Sequence, residues 1–148
     1  MSFPELVKTL EMQDEVLGQL GDLLIKQREA LRDGRLQVLQ DLFKEMQFLS
    51  VKAQALEGKR SRLCAALASE LGCEPVISEM CERLSLEDGE LLRARGRSLA
   101  NRVGLLRSEM KLLEMLMDEA RMLNEMMISE WRRMRAPFDD AGGFSARI

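Results

Sequence analysis

Apolar residues recur along the chain with a period of seven, starting with Phe3, Leu10, Leu17, Leu24 and Leu31 and supported by Leu6 and Leu20. That spacing paints one stripe on a helix of about eight turns. Ser2 and Glu5 have the spacing of a capping box, in which hydroxyl and carboxylate satisfy orphan amides reciprocally. Asp33-Gly34 then interrupts the pattern, because glycine best tolerates the left-handed conformation that ends a helix.

A second stripe runs through Leu39, Leu42, Met46, Leu49, Ala53, Leu56, Arg60, Leu63 and Leu67, alternating steps of three and four. This is coiled-coil spacing and predicts a helix from about Arg35 to Leu71. Arg60 is the one charge in it, expected to lay its stem along the seam and carry its head to water. Gly72 and Pro75 stop this helix, and Pro75 can open a short connecting one reaching about Leu84.

Ser85-Leu86-Glu87-Asp88 reads as another capped start. The helix it opens is expected to continue to Arg135, about 50 residues or ~73 Å. Its stripe is Leu99, Val103, Leu106, Met110, Leu113, Met117, Ala120, Asn124, Met127, Trp131 and Met134. Gly89, Gly96 and Gly104 weaken its first half, each by about 1 kcal/mol relative to alanine where exposed. The fold class is therefore all-α: an elongated antiparallel bundle of three long helices with one short connecting helix. Residues 1–135 form the bundle, and residues 136–148 a flexible C-terminal tail broken from it at Pro137.

Composition supports one helical domain. Of 148 residues, 46% are apolar and 32% charged, aromatics are 4%, and tyrosine and histidine are absent. A net charge of −3 gives no general attraction to nucleic acid or anionic lipid. Neither a signal peptide nor a run of ~18 apolar residues appears, so a cytoplasmic protein without membrane insertion is expected. Cys64, Cys73 and Cys81 have no CxxC spacing, and without histidine a zinc site is not expected; they read as reduced, mostly core thiols.

Seven of the eleven methionines fall within residues 110–134. On a wheel of the last helix the heptad stripe takes one arc, widened on one side by Leu105, Leu112, Leu116 and Leu123. Met115, Met122 and Met126 lie nearly opposite its centre. The helix is apolar around roughly two-thirds of its circumference, far more than an ordinary surface helix. With the second helix shorter, Met126, Met127, Trp131 and Met134 are expected to overhang the hairpin. Pliable methionine side chains suit either an irregular core or a surface that adapts to a partner helix. Phe138 lies past Pro137, where an aromatic on a free tail contributes little to the bundle and suits a short docking motif.

Catalytic chemistry is missing. There is no histidine for a triad, no GxxxxGK[ST] or GxGxxG loop, and the arginines at 93, 95, 97, 102 and 107 point in several directions rather than forming a phosphate track. No enzyme, cofactor or metal is expected.

The ordered set Leu23-Leu24, Lys26, Ala30-Leu31 and Gly34, followed by Lys44-Glu45, Leu49, Leu56-Glu57 and Arg60, resembles the FlgN family of flagellar export chaperones. Pro137-Phe138-Asp139-Asp140-Ala141-Gly142 resembles that family's aromatic-then-glycine ending, usually built on tyrosine; Phe138 lacks the hydroxyl. The resemblance implies a cytoplasmic chaperone that captures the terminal helix of hook–filament junction proteins (FlgK/FlgL type). It would prevent their premature assembly and deliver them to the cytoplasmic domain of the flagellar type III export gate. On this reading Leu112, Met115, Leu116, Met122, Leu123 and Met126 contact the substrate protein, and Phe138 docks on the gate. The competing class is a self-associating coiled-coil structural or adaptor protein, which would bury the same methionine face in a homodimer.

Overall fold

The computed structural model describes residues 2–120 and 123–139, and every regular element among them is helical. Three long helices carry the architecture: α1 (Ser2–Arg32), α2 (Leu36–Leu71) and α4 (Leu86–Glu119). A short α3 (Ile77–Arg83) connects α2 to α4, and α5 (Glu125–Arg135) with a 3-10 turn (Ala136–Phe138) follows α4. Ser2 of α1 reaches Glu70 near the end of α2, so α1 and α2 form an antiparallel hairpin. Glu11, Asp14 and Arg28 of α1 pair in order with Arg95, Arg102 and Glu109 of α4, so α4 runs parallel to α1 and antiparallel to α2.

The heptad leucines form the core: Leu10, Leu17, Leu24 and Leu31 of α1, Leu39, Met46, Leu56 and Leu67 of α2, and Leu99, Val103, Leu106, Met110 and Met117 of α4 are all buried. Each such side chain contributes about 1.5–3 kcal/mol by leaving water, which outweighs any difference in helix propensity along the chain. Gly34 and Gly72 adopt φ near +69° and +68° and end α1 and α2 at the positions the breaks predict. The Gly72 amide returns to the carbonyls of Ala68 and Ser69, satisfying groups the helix leaves open.

The expected capping box at the start of α1 is not formed; the Ser2 hydroxyl instead donates to Glu70 at 3.0 Å. Ser85 does cap α4, accepting from the Asp88 amide at 3.2 Å. Gly89 lies within α4, which continues through it, and it seats α3: a Cβ there would stand 2.6 Å from the Cys81 carbonyl oxygen.

Further expectations fail. Arg60 does not carry its head to water. Its side chain is 1% exposed and paired with Glu57, Nε donating at 2.9 Å, while its other nitrogens reach Glu57 again and Cys64 Sγ. Gln13 of α1 donates to the same carboxylate at 2.7 Å. Burial alone pulls the guanidinium down, but the hydrogen bonds and charge of Glu57 outweigh it and hold Arg60 above its ordinary value. The seam had a carboxylate within reach one turn away, and a paired guanidinium is stable inside where an unpaired one would be driven out.

The long last helix is also not continuous. It ends at Glu119, and Ala120 and Asn124 have extended backbone. The Asn124 side chain then accepts from the Met127 amide at 2.9 Å and caps α5. α5 folds back along α4: Arg132 reaches Glu114 and Asp118 at 2.8 and 2.9 Å, and Arg135 also pairs with Glu114. Trp131 and Met127 therefore do not overhang the hairpin but enter its core, and Met134 is half-buried against it. Reversal is favoured because it buries the indole where an overhang would leave it wet.

Packing continues past the expected boundary at Arg135. Phe138 is fully buried, not carried on a free tail, and Arg107 Nε donates to its carbonyl oxygen at 2.7 Å. Residues 140–148, the rest of the expected tail, lie outside the described residues.

Candidate functional site

Between α1 and α4 the surface alternates ionic and apolar. Arg95–Glu11 at 3.1 Å and Arg102–Asp14 at 3.1 Å clasp one end, Ser98 adding a hydroxyl to Asp14 at 3.3 Å. One pair, Arg28–Glu109 at 2.6 Å, crosses further along. Exposed ion pairs of this kind are each worth about 0–1 kcal/mol, so they fix the register of two helices more than they stabilise them.

On either side of the Arg28–Glu109 pair lies an apolar recess. The first is lined by Gly18, Gly21 and Ile25 of α1 with Leu105 and Leu106 of α4. The absent side chain at Gly21 leaves open space, since a Cβ there would meet nothing within 4 Å. The second is lined by Leu31 of α1 with Leu116 and Ala120 of α4, and rimmed by Arg28, Arg32 and Glu119. Leu112 stands exposed on α4 between Leu105 and Leu116, in the same three-and-four register. The chain thus presents a groove with apolar footholds at helical spacing and charges of both signs on its rim, the form a partner helix fits.

The six expected substrate contacts do not share one face. Leu116 lines the second recess, Leu112 stands exposed one turn before it on the same face of α4, and Met115, 56% exposed, lies beyond Leu112 on the outer side of that helix. Met126 is 73% exposed but stands on α5, on the side from which Glu130 and Arg133 line a recess against α2. The other flank of α5 is taken by Arg132 and Arg135 bonding to α4. Leu123 is half-buried against the core, and Met122 lies outside the described residues. A wheel treats residues 99–134 as one rod, and the break at Ala120–Asn124 turns Met126 away from Met115.

Phe138 sits with Met110 and Arg107 in the cleft between α4 and the 3-10 turn. Deeper in, Gln27 organises a buried polar junction. Its Oε1 accepts from Trp131 Nε1 at 3.3 Å, and its Nε2 faces the Leu42 carbonyl at 3.5 Å and Met46 Sδ at 3.4 Å. Sequence reasoning missed Ile25, Gly18 and Gly21. Ile25 lies off the heptad stripe, and a shallow groove leaves no motif.

No side chains among the described residues are grouped as a catalytic constellation. Among the described residues no three Cys, Asp or Glu side chains are grouped to hold a metal, and no helix is long and apolar enough to cross a membrane. Cys64 and Cys81 are buried and Cys73 is half-buried. Burial pushes the Cys81 thiol up, more than the charge of Arg93 pulls it down, which disfavours the reactive thiolate.

The family model described as FlgN protein matches residues 1–138, which takes in all five helices and the 3-10 turn. No curated protein and no solved structure matches the chain.

Proposed function

Because the chain belongs to the FlgN family, chaperones of flagellar export that are not enzymes, we propose that it holds the terminal helix of a hook–filament junction protein in the α1–α4 groove. Held there, that helix is kept from assembling before export. The observation that supports this is the row of apolar positions along the α1–α4 seam, with Ile25, Leu105 and Leu112 exposed and Leu116 half-buried, crossed by the Arg28–Glu109 pair. Left open to water these side chains would be a sticky feature of a folded protein; a partner helix removes them from water while the rim charges fix its register. The chaperone works in the cytoplasm and hands its cargo to the cytoplasmic domain of the export gate. Docking there through Phe138 requires the 3-10 turn to leave its cleft first, because the ring is buried against the bundle.

The test is calorimetric titration of the purified chain with a synthetic peptide of a junction protein's terminal helix. Leu112→Gln with Leu116→Gln should weaken binding about tenfold, a loss of roughly 1.4 kcal/mol, and leave the helical circular dichroism unchanged. Unchanged affinity in that variant rejects the groove. A wild-type dimer in sedimentation equilibrium that the same variant converts to monomer would favour the self-associating adaptor instead.

A further inference from the structure

The outer face of α2, on the far side of that helix from α1, is a second apolar stripe, and its charge is one-sided. Phe48 is 76% exposed and Val51 64%, and they line a common surface recess with Lys44, Lys52 and Ala55. At 100° per residue, Lys44, Phe48, Val51, Lys52, Ala55, Lys59 and Arg62 fall within one sector of roughly 100°. All seven are exposed. Between residues 44 and 69 α2 has two carboxylates: Glu45, just outside the edge of this sector, and Glu57, which is turned away from it and bonded to Arg60 and to Gln13 of α1.

Along the α1–α4 seam the outward arginines are answered. Arg28, Arg95 and Arg102 each have a carboxylate on the neighbouring helix. Among the described residues no such pair is made by Lys44, Lys52, Lys59 or Arg62. A chain of net charge −3 thus carries one face with an aromatic, two smaller apolar side chains and four unanswered cations. Helix packing itself gives no reason for this, because the opposite face of α2, with Met46, Ala53 and Leu56, already provides its share of the core.

We infer that the α2 face from Lys44 to Arg62 docks an amphipathic helix of another protein whose apolar stripe is flanked by Asp and Glu. Phe48, Val51 and Ala55 supply a seam at i, i+3 and i+7, the spacing at which two helices interdigitate. Lys44, Lys52, Lys59 and Arg62 along the stripe match acidic flanks and discriminate against basic ones. An anionic bilayer is the poorer fit: a flat surface would also meet Asp41 and Glu70, exposed at the two ends of the same face, and only Phe48 and Val51 are large enough to insert. A helix lies between those two carboxylates. The surface is separate from the α1–α4 groove, so both are open to occupation together.

The experiment uses the full chain and a fluorescent synthetic peptide of about 25 residues, long enough to be helical, with leucines at heptad spacing flanked by glutamates. Fluorescence anisotropy should show binding that falls about tenfold in Phe48→Gln/Val51→Gln and in Lys52→Glu/Lys59→Glu, and is unchanged in Leu112→Gln/Leu116→Gln. The Lys52→Glu/Lys59→Glu protein should instead prefer a counterpart of the peptide with lysine flanks. Failure of the glutamate-flanked peptide to bind, or binding that survives Phe48→Gln/Val51→Gln, overturns the inference. So does sedimentation with phosphatidylcholine–phosphatidylserine vesicles that is lost in the same variant, which would assign the face to a membrane surface.

Discussion

Arg107 donates to the main-chain carbonyl of Phe138, 31 residues further along the chain, at 2.7 Å. The contact closes the α4–α5 hairpin behind the fully buried Phe138 ring. Truncating that ring removes apolar contact and leaves a cavity beside Met110. Phe138→Ala should therefore cost about 3–5 kcal/mol in urea unfolding, and Arg107→Ala about 1.5–3 kcal/mol, since the bond it loses is to a charged donor. A Phe138→Ala protein with an unchanged midpoint would return the ring to the role of a free anchor.

Arg60 and Glu57 yield a second prediction. Glu57→Gln should cost about 3–5 kcal/mol, because it leaves a guanidinium that is 1% exposed without its counter-charge. The double replacement Glu57→Leu/Arg60→Met should recover most of that loss, as apolar residues of similar volume replace a buried pair at little cost. A double-mutant cycle on thermal unfolding measures the coupling directly. Equal, additive losses would mean the two side chains are solvated independently.

A third prediction separates two methionines that a helical wheel places together. Met115→Gln, beside the α1–α4 groove, should weaken binding of a junction protein's terminal helix several-fold. Met126→Gln, on the α2 side of α5, should not. Both are exposed, and neither change should move stability by more than about 0.5 kcal/mol. Equal losses of affinity from both would show that the bound helix also spans α5.

The thiols give a fourth. Cys73 should be alkylated by iodoacetamide well before Cys64 and Cys81, and in urea the three should react alike. The raised Cys81 value also has a signed consequence for stability. The folded state holds that proton more tightly than the unfolded one, so the contribution is full below the ordinary thiol range and is lost as pH rises through the folded value. Rapid modification of Cys81 in the native protein would refute its burial.

Much of the bundle was legible because the heptad pattern, read with Gly34, Gly72 and Ser85, reports which face of each helix leaves water and where the helix stops. What it cannot report is a reversal that preserves the pattern. Ala120, Met127, Trp131 and Met134 continue the stripe of α4, yet all but Ala120 belong to a helix running the other way. No glycine or proline marks the turn. The one signal is Asn124, a favoured capping residue standing on an apolar stripe, which the wheel counted as a seam position. Arg60 was misread for a related reason: periodicity places a residue at the seam but does not say whether Glu57, one turn away, will fold in to meet it. The groove was legible in Leu105, Leu112 and Leu116 but not in most of its α1 wall, which apart from Leu31 is made by an off-stripe isoleucine and by two glycines.

The indole of Trp131 bonds to Gln27 across 104 residues of sequence, and this separation orders events in time. During synthesis α1 and α2 are complete well before Trp131 is made. They can pair by heptads at once, but the amide oxygen of Gln27 must stay hydrated until the last helix is made. A nascent chain stalled short of Trp131 would thus have its hairpin formed and its polar junction wet, open to any apolar helix nearby, including that of another nascent chain.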